Sequence, residues 1–204
     1  AGVIDALIEQ HNMPGGFATS FVRGRFEFEP SLHELCDLGS EEKPGAIRAL
    51  FDDLGVRLEW CPMKDAFRTI LTDDPDLKDY TMPFGTKEFT DKMEEYVPGS
   101  RESTEKFILL CEDLNRAVNY MTEASGHVDP KVMQKEHANF LKCAPYSVNE
   151  VLDALKMPKA AQKILGSYWC YIGVPLDRLS FFFYAIMVYK YLIGGAYIPK
   201  NRSH

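Results

Sequence analysis

Leu7-Ile8-Glu9-Gln10-His11-Asn12-Met13-Pro14-Gly15-Gly16-Phe17 reads as an apolar strand ending in an acid, followed by a paired-glycine turn. In a doubly wound sheet, an acid at the carboxyl end of a strand is placed to hydrogen-bond ribose hydroxyls. Adjacent glycines let backbone N–H groups approach a pyrophosphate closely, because no Cβ intervenes. The stretch therefore reads as one half of a dinucleotide site, with Glu9 at the ribose and Gly15 and Gly16 flanking the phosphates. The plainer alternatives are a surface acid and a bare turn. The complementary half, a strand leading into a G-x-G-x-x-G turn and a helix, belongs about 20 residues before the acid. Only eight residues precede Glu9, so the chain is expected to be a fragment that begins at the second strand of its nucleotide-binding fold.

Composition narrows the function classes. With 204 residues, 46% of them hydrophobic, the chain can bury a substantial core. Thirty acids against 23 bases give a net charge of −7, and with no basic stripe this disfavours a nucleic-acid partner, whose phosphates require clustered Lys and Arg. The five cysteines, Cys36, Cys61, Cys111, Cys143 and Cys170, form no C-x-x-C pair, and reduced, mostly buried thiols are expected. The histidines at 11, 33, 127, 137 and 204 are dispersed, so no metal is assigned. No basic region followed by an apolar run opens the chain, so no signal peptide is expected and a cytoplasmic location is anticipated. No G-x-S-x-G elbow supports hydrolase chemistry.

Outward from the glycines, residues 3 to 8 read as a short strand and Gly16 to Phe28 as irregular or extended structure. Pro44 at a first helical position and Gly55 just past an end predict a helix from Lys43 to Leu54. Val56–Cys61 and Ala66–Leu71 read as β runs of a small sheet, with a turn signal at Asp73-Asp74-Pro75-Asp76. After Pro83 the pattern becomes helical. Helices are expected at 87–96, at 101–124 with Phe107, Leu110, Leu114, Val118 and Met121 at helical spacing, and from Asp129-Pro130 toward Lys142. Ser147 with Glu150 makes a capping box, and Pro158 starts a helix carrying Trp169.

The most apolar stretch, Leu179 to Met187 with Phe181-Phe182-Phe183-Tyr184 at its centre, continues through Val188-Tyr189 to Tyr191-Leu192-Ile193. Its unbroken part is about half the ~20 residues a spanning helix needs, and Lys190 would fall inside the bilayer. Two readings stay open: a buried core helix, or a helix that lines an apolar ligand tunnel or touches a membrane surface. The following Gly194-Gly195 either ends this helix before a strand at Ala196–Ile198 or serves a role beside a ligand or as a substrate gate.

Four segments carry a resemblance. Ile8 to His33, including Phe26-Glu27-Phe28-Glu29-Pro30-Ser31-Leu32-His33, resembles the start of the phytoene desaturase, carotenoid isomerase and retinol saturase group of flavin-dependent enzymes. Gly194-Gly195-Ala196-Tyr197-Ile198-Pro199-Lys200 is similar to the Gly-Gly-x-Tyr-x-Pro element of that group. Leu165-Gly166-Ser167-Tyr168-Trp169 and Gly173-Val174-Pro175 are similar to the helical segment before it. Phe17 stands where many relatives of the wider amine-oxidase-like class have arginine, Ser31 where glycine is common, and Asn201-Arg202 where the group continues Pro-x-Gly-Gly.

The resemblance implies an α/β, helix-rich mixed α+β chain, part of an FAD-binding Rossmann-like domain with a small sheet and an inserted helical substrate domain. The expected division is 1–55 for the downstream half of the FAD domain, 56–84 for the small β region, 85–193 for the helical block and 194–204 for a return segment. It implies FAD as cofactor of the full-length parent, at Glu9, Gly15 and Gly16. The implied substrate is apolar, a polyene or another long lipid, with Phe182, Tyr184, Gly194, Gly195 and Tyr197 as substrate-region residues and a membrane-surface contact as a further expectation. The reaction implied is a flavin-dependent desaturation, saturation or isomerisation. No catalytic residue is assigned; His33 is a candidate because it lies in the matching segment. The chain alone is expected to be inactive and to hold FAD weakly, since the phosphate turn is missing. The competing class is a non-catalytic helical module that binds lipid or a membrane surface.

Overall fold

In a computed structural model, which describes residues 8, 10–12, 15–16, 19–28, 34–72 and 78–200, the chain divides into two units. One is Ala1–Met63 with Ala196–His204, and the other is Lys64–Gly195.

In the first unit, β1 (Phe21–Arg23) and β2 (Phe26–Phe28) form an antiparallel hairpin with Phe21 opposite Phe28. Gly24, at φ +62°, makes the tight turn possible. The sequence pattern indicates only extended structure here. Helix α1 (Ala46–Asp53) begins three residues later than its expected start at Lys43. Pro44 is held instead in a bridge with Gly39, and the extended Gly45 (φ −78°, ψ 173°) donates its N–H to the Leu38 carbonyl at 2.9 Å. Around these contacts Leu38 is fully buried, and the Arg48 guanidinium donates to the carbonyls of Leu38 and Gly39, both at 3.2 Å. Strand β3 (Trp60–Pro62) is shorter than the expected run from Val56, because its partner is only three residues long. The expected strand at residues 3 to 8 falls outside the described residues except for Ile8, which is 92% exposed and in no strand.

In the second unit, β4 (Phe67–Ile70) pairs antiparallel with β5 (Asp79–Met82), a strand that the sequence pattern did not announce. Helices α2 (Thr86–Tyr96) and α3 (Arg101–Glu123) lie close to where the periodicity put them. The helix expected from Pro130 to Lys142 is broken into α4 (Pro130–Glu136) and α5 (Ala138–Cys143). His137 leaves the helical region (φ −124°, ψ 33°), and its ring stacks on Tyr120 at 5.2 Å; this tertiary contact fixes the break. Asp129 caps α4, its carboxylate accepting from the Lys131 N–H at 2.8 Å. The capping box of Ser147 and Glu150 opens α6 (Val148–Ala154). Helix α7 (Lys159–Leu165) passes directly into a 3-10 helix, Gly166–Tyr171, and the apolar run becomes α8 (Phe181–Gly194).

The core of this unit is the α3–α8 contact. Phe107, Cys111 and Leu114 are fully buried at helical spacing on α3, as are Phe181, Tyr184, Ala185 and Val188 on α8. The Phe107 ring meets Phe181 at 6.1 Å and Tyr184 at 6.3 Å between centroids. Leu110, Val118 and Met121, expected on the same stripe, are half-buried at its border. The last strand, β6 (Tyr197–Pro199), belongs to the first unit and pairs antiparallel with β3. Among the described residues the fold is thus mixed and helix-rich, 51% helical, and every strand pair is antiparallel.

Candidate functional site

Gly15 and Gly16 have φ of +107° and +53°. A side chain strains such backbone, so both positions depend on glycine. The turn is tied to the segment after it, since the Thr19 N–H donates to the Gly16 carbonyl at 3.2 Å. From Thr19 the chain runs into β1, and this run together with His11 and Asn12 encloses a cleft of about 470 Å³. That volume is within the ~300–1,000 Å³ usual for small-molecule sites. Ser20, at its wall, is buried. The described cleft-lining residues carry hydroxyl, amide, imidazole and guanidinium groups and no carboxylate. Such a set can hydrogen-bond an anionic or polar group. Glu9, the expected ribose ligand, and His33 lie outside the described residues, as do Phe17, Ser31 and Asn201.

Tyr197 is in the same unit, held on both sides by backbone. Its N–H donates to the Leu35 carbonyl at 2.9 Å, and its carbonyl accepts from the Leu35 N–H at 2.8 Å; across β3 it opposes Pro62. The Gly-Gly-x-Tyr-x-Pro element therefore supplies a strand that pairs with two chain segments far away in sequence. Its side chain is half-buried.

The other substrate-region residues lie in the helical unit. Phe182 is half-buried, edge-on to Phe140 of α5 at 5.2 Å. Tyr184 is fully buried and donates its hydroxyl to the Leu165 carbonyl at 2.7 Å, so it props α8 against the end of α7. Burial pushes its phenol well above the ordinary range. Gly194 ends α8 and Gly195, at φ +65°, turns the chain out of it, which is the helix-terminating geometry. On the outward side of α8, Phe183 is 60% and Ile193 57% exposed.

A second cleft, of about 520 Å³, opens in the helical unit between β4 and the 3-10 helix. Phe67, Tyr168, Trp169 and Tyr171 give it an aromatic wall, while Arg68 and Lys163 stand at it. Tyr168 is the hub, with Phe67 edge-on at 4.8 Å and Tyr171 at 6.1 Å. Arg68 is held by a bidentate pair with Asp79 across β4–β5, which raises the guanidinium pKa and lowers that of the carboxylate. None of the five residues expected in the substrate region lines this cleft. The signal that could have found it was the aromatic density of Tyr168-Trp169-Cys170-Tyr171 just after Gly166, which leaves Trp169 half exposed. Among the described residues no group of three or more His, Cys, Asp or Glu could hold a metal ion. Nor is any helix there long and apolar enough to cross a membrane.

No protein-family model matches the chain. It is similar to proteins named all-trans-retinol 13,14-reductase. Identity is 24% over 204 residues to that of Danio rerio, covering 96% of this chain and 33% of the relative. It is 24% over 212 residues to that of Homo sapiens and 25% to that of Macaca fascicularis, in each case over 100% of this chain and 34% of the relative. The chain thus spans about a third of the length of the curated relatives it matches. These relatives are named as reductases and support the retinol saturase side of the group to which the motifs pointed, not its phytoene desaturase or carotenoid isomerase side.

Proposed function

We propose that the chain works as part of a flavin-dependent oxidoreductase that saturates a carbon–carbon double bond of a polyene or other long apolar substrate, a retinoid alcohol being the class suggested by the relatives' name. The observation that carries the reading is the extent of the similarity. It runs over 96% of the chain or more, across the glycine turn, the helical block and the Gly-Gly-x-Tyr-x-Pro strand alike. In this reading Glu9 accepts hydrogen bonds from ribose hydroxyls and the N–H groups of Gly15 and Gly16 approach the pyrophosphate. FAD, when bound, supplies the hydride or electron transfer. The chain's part is to hold the nucleotide in the first unit and to offer the substrate apolar surface, with Phe182, Gly194, Gly195 and Tyr197 as the substrate-region residues and Tyr184 as the buried support of α8.

The test is turnover by the full-length protein supplied with FAD, a chemical reductant and all-trans-retinol, separated by chromatography with absorbance detection. Saturation of one double bond shortens the conjugated system and moves the absorbance to shorter wavelength. Retinol recovered unchanged, with other apolar polyenes equally untouched, refutes the reading.

A second reading is favoured by the exposed Phe183 and Ile193: a helical module that seats the outward side of α8 on a lipid surface. Co-sedimentation with liposomes tests it. Absence of binding, together with no lipid in the purified protein by mass spectrometry, sinks it.

A further inference from the structure

We propose that Arg23 is the phosphate-binding cation of the cleft beside the Gly15-Gly16 turn, and that the cleft takes the diphosphate of a nucleotide. The inference rests on the nucleotide reading of the first unit and deepens it by assigning a residue that no motif marked.

Charge is the first argument. Acids outnumber bases by 30 to 23 in this chain, yet among the described residues lining the cleft there is no carboxylate, and Arg23 is the one permanently charged group. A concave site whose described lining holds a guanidinium and no carboxylate favours an anionic group beside that guanidinium. Glu27, the acid of the hairpin itself, opposes Val22 in the ladder and is not among the described residues that line the cleft.

Geometry is the second. The Arg23 guanidinium lies over the Phe21 ring, 5.0 Å from its centroid, and Phe21 is itself stacked on Phe28 at 5.1 Å. One of its five N–H donors goes to the Val22 carbonyl at 3.0 Å. None of the ion pairs among the described residues uses Arg23. A planar cation laid on an aromatic face keeps its edge donors in a fixed fork, the arrangement that suits bidentate contact with phosphate oxygens. His11, Asn12, Thr19 and Ser20 line the same cleft, and Thr19 is bonded through its N–H to the glycine turn. Arg25 provides the contrast: it lies over Phe26 at 5.1 Å and does not line the cleft.

The experiment titrates inorganic pyrophosphate, ADP, adenosine and FAD against the purified chain at low salt by calorimetry, in wild type, Arg23→Gln, Arg23→Lys and Arg25→Gln. Circular dichroism confirms that each variant is folded, as expected for a side chain exposed on a hairpin. Losing a charge-assisted bidentate contact weakens pyrophosphate, ADP and FAD by about 10- to 100-fold in Arg23→Gln. Arg23→Lys recovers part of the loss, adenosine binding is unchanged, and Arg25→Gln stays within about twofold of wild type. Equal ADP affinity in wild type and Arg23→Gln overturns the assignment while leaving the flavin reading standing. Equal losses in Arg23→Gln and Arg25→Gln overturn it as well, by showing a diffuse charge effect. Pyrophosphate binding that depends on Arg23, with no binding of adenosine, ADP or FAD, keeps the phosphate-binding cation and removes the nucleotide. No binding of any of the four overturns the Arg23 assignment, while the flavin reading is decided on the full-length protein.

Discussion

Replacing Phe107 by alanine removes the side chain that joins α3 to α8. Phe107 is fully buried, and its ring meets both Phe181 and Tyr184, themselves fully buried, so little around it can collapse into the space. Phe→Ala substitutions of this kind cost about 3–5 kcal/mol through lost transfer energy and the cavity left behind. With a urea slope of about 2.5 kcal/mol per molar for a chain of this size, a loss of about 4 kcal/mol lowers the midpoint by about 1.6 M. Leu109 supplies the internal control. Only two residues away on the same helix, it is 60% exposed, and Leu109→Ala should cost less than about 0.5 kcal/mol. Far-UV circular dichroism during urea unfolding reads both, because the helical unit carries most of the helix. A Phe107→Ala shift below about 0.3 M, or equal shifts in the two variants, would refute the packing described for α3 and α8.

Tyr184→Phe leaves the Leu165 carbonyl without the donor it has in the buried core, so the same urea assay should record a loss of about 1–3 kcal/mol; no loss would mean the hydroxyl does not hold α7 to α8. Cys170 is exposed and Cys111 buried, and burial, with Cys143 as a smaller second cause, raises the Cys111 thiol well above its ordinary value. Alkylation followed by peptide mass spectrometry should therefore modify Cys170 first and Cys111 last, and early labelling of Cys111 contradicts the core. The same shift fixes a pH trend. Folding favours the protonated thiol, so this contribution is complete below the ordinary thiol value of about 8.5 and is lost as pH rises past it, with Cys111→Ala flattening the trend. A Cβ at Gly45 would collide with the Asp37 carbonyl, and Gly45→Ala should destabilise the first unit by about 1–3 kcal/mol. Trp60 fluorescence in a Trp169→Phe background reads that unit alone, and an unchanged transition would show that the Asp37–Gly45 contact is not formed.

The elements legible in the sequence are those whose signals are local. Asp129-Pro130 and the Ser147–Glu150 box mark helix starts through bonds within four residues, and Gly55 and Gly195 mark ends through left-handed backbone. The elements that were not legible depend on partners far along the chain. Strand β3 stops where β6 stops, and the Lys200–Glu59 pair beside that ladder joins residues 141 apart in sequence. The break at His137 needs Tyr120 from another helix. The site divides in the same way. Two consecutive glycines announce themselves, and the structure gives both the left-handed backbone that only glycine adopts without strain. Arg23 has no motif; its place at a cleft that His11 and Asn12 also line, with no carboxylate among the described lining residues, depends on the fold.

Flavin content of the full-length protein decides whether the nucleotide reading holds. The protein is purified in the presence of added FAD, freed of unbound cofactor, and tested for visible flavin absorbance and for a thermal shift against the cofactor-free form. The account predicts bound flavin and a raised melting temperature. For the 204-residue chain alone, which has no G-x-G-x-x-G turn, it predicts binding weaker than micromolar, roughly −8 kcal/mol or less in magnitude. A full-length protein with no flavin absorbance and no thermal shift would contradict it.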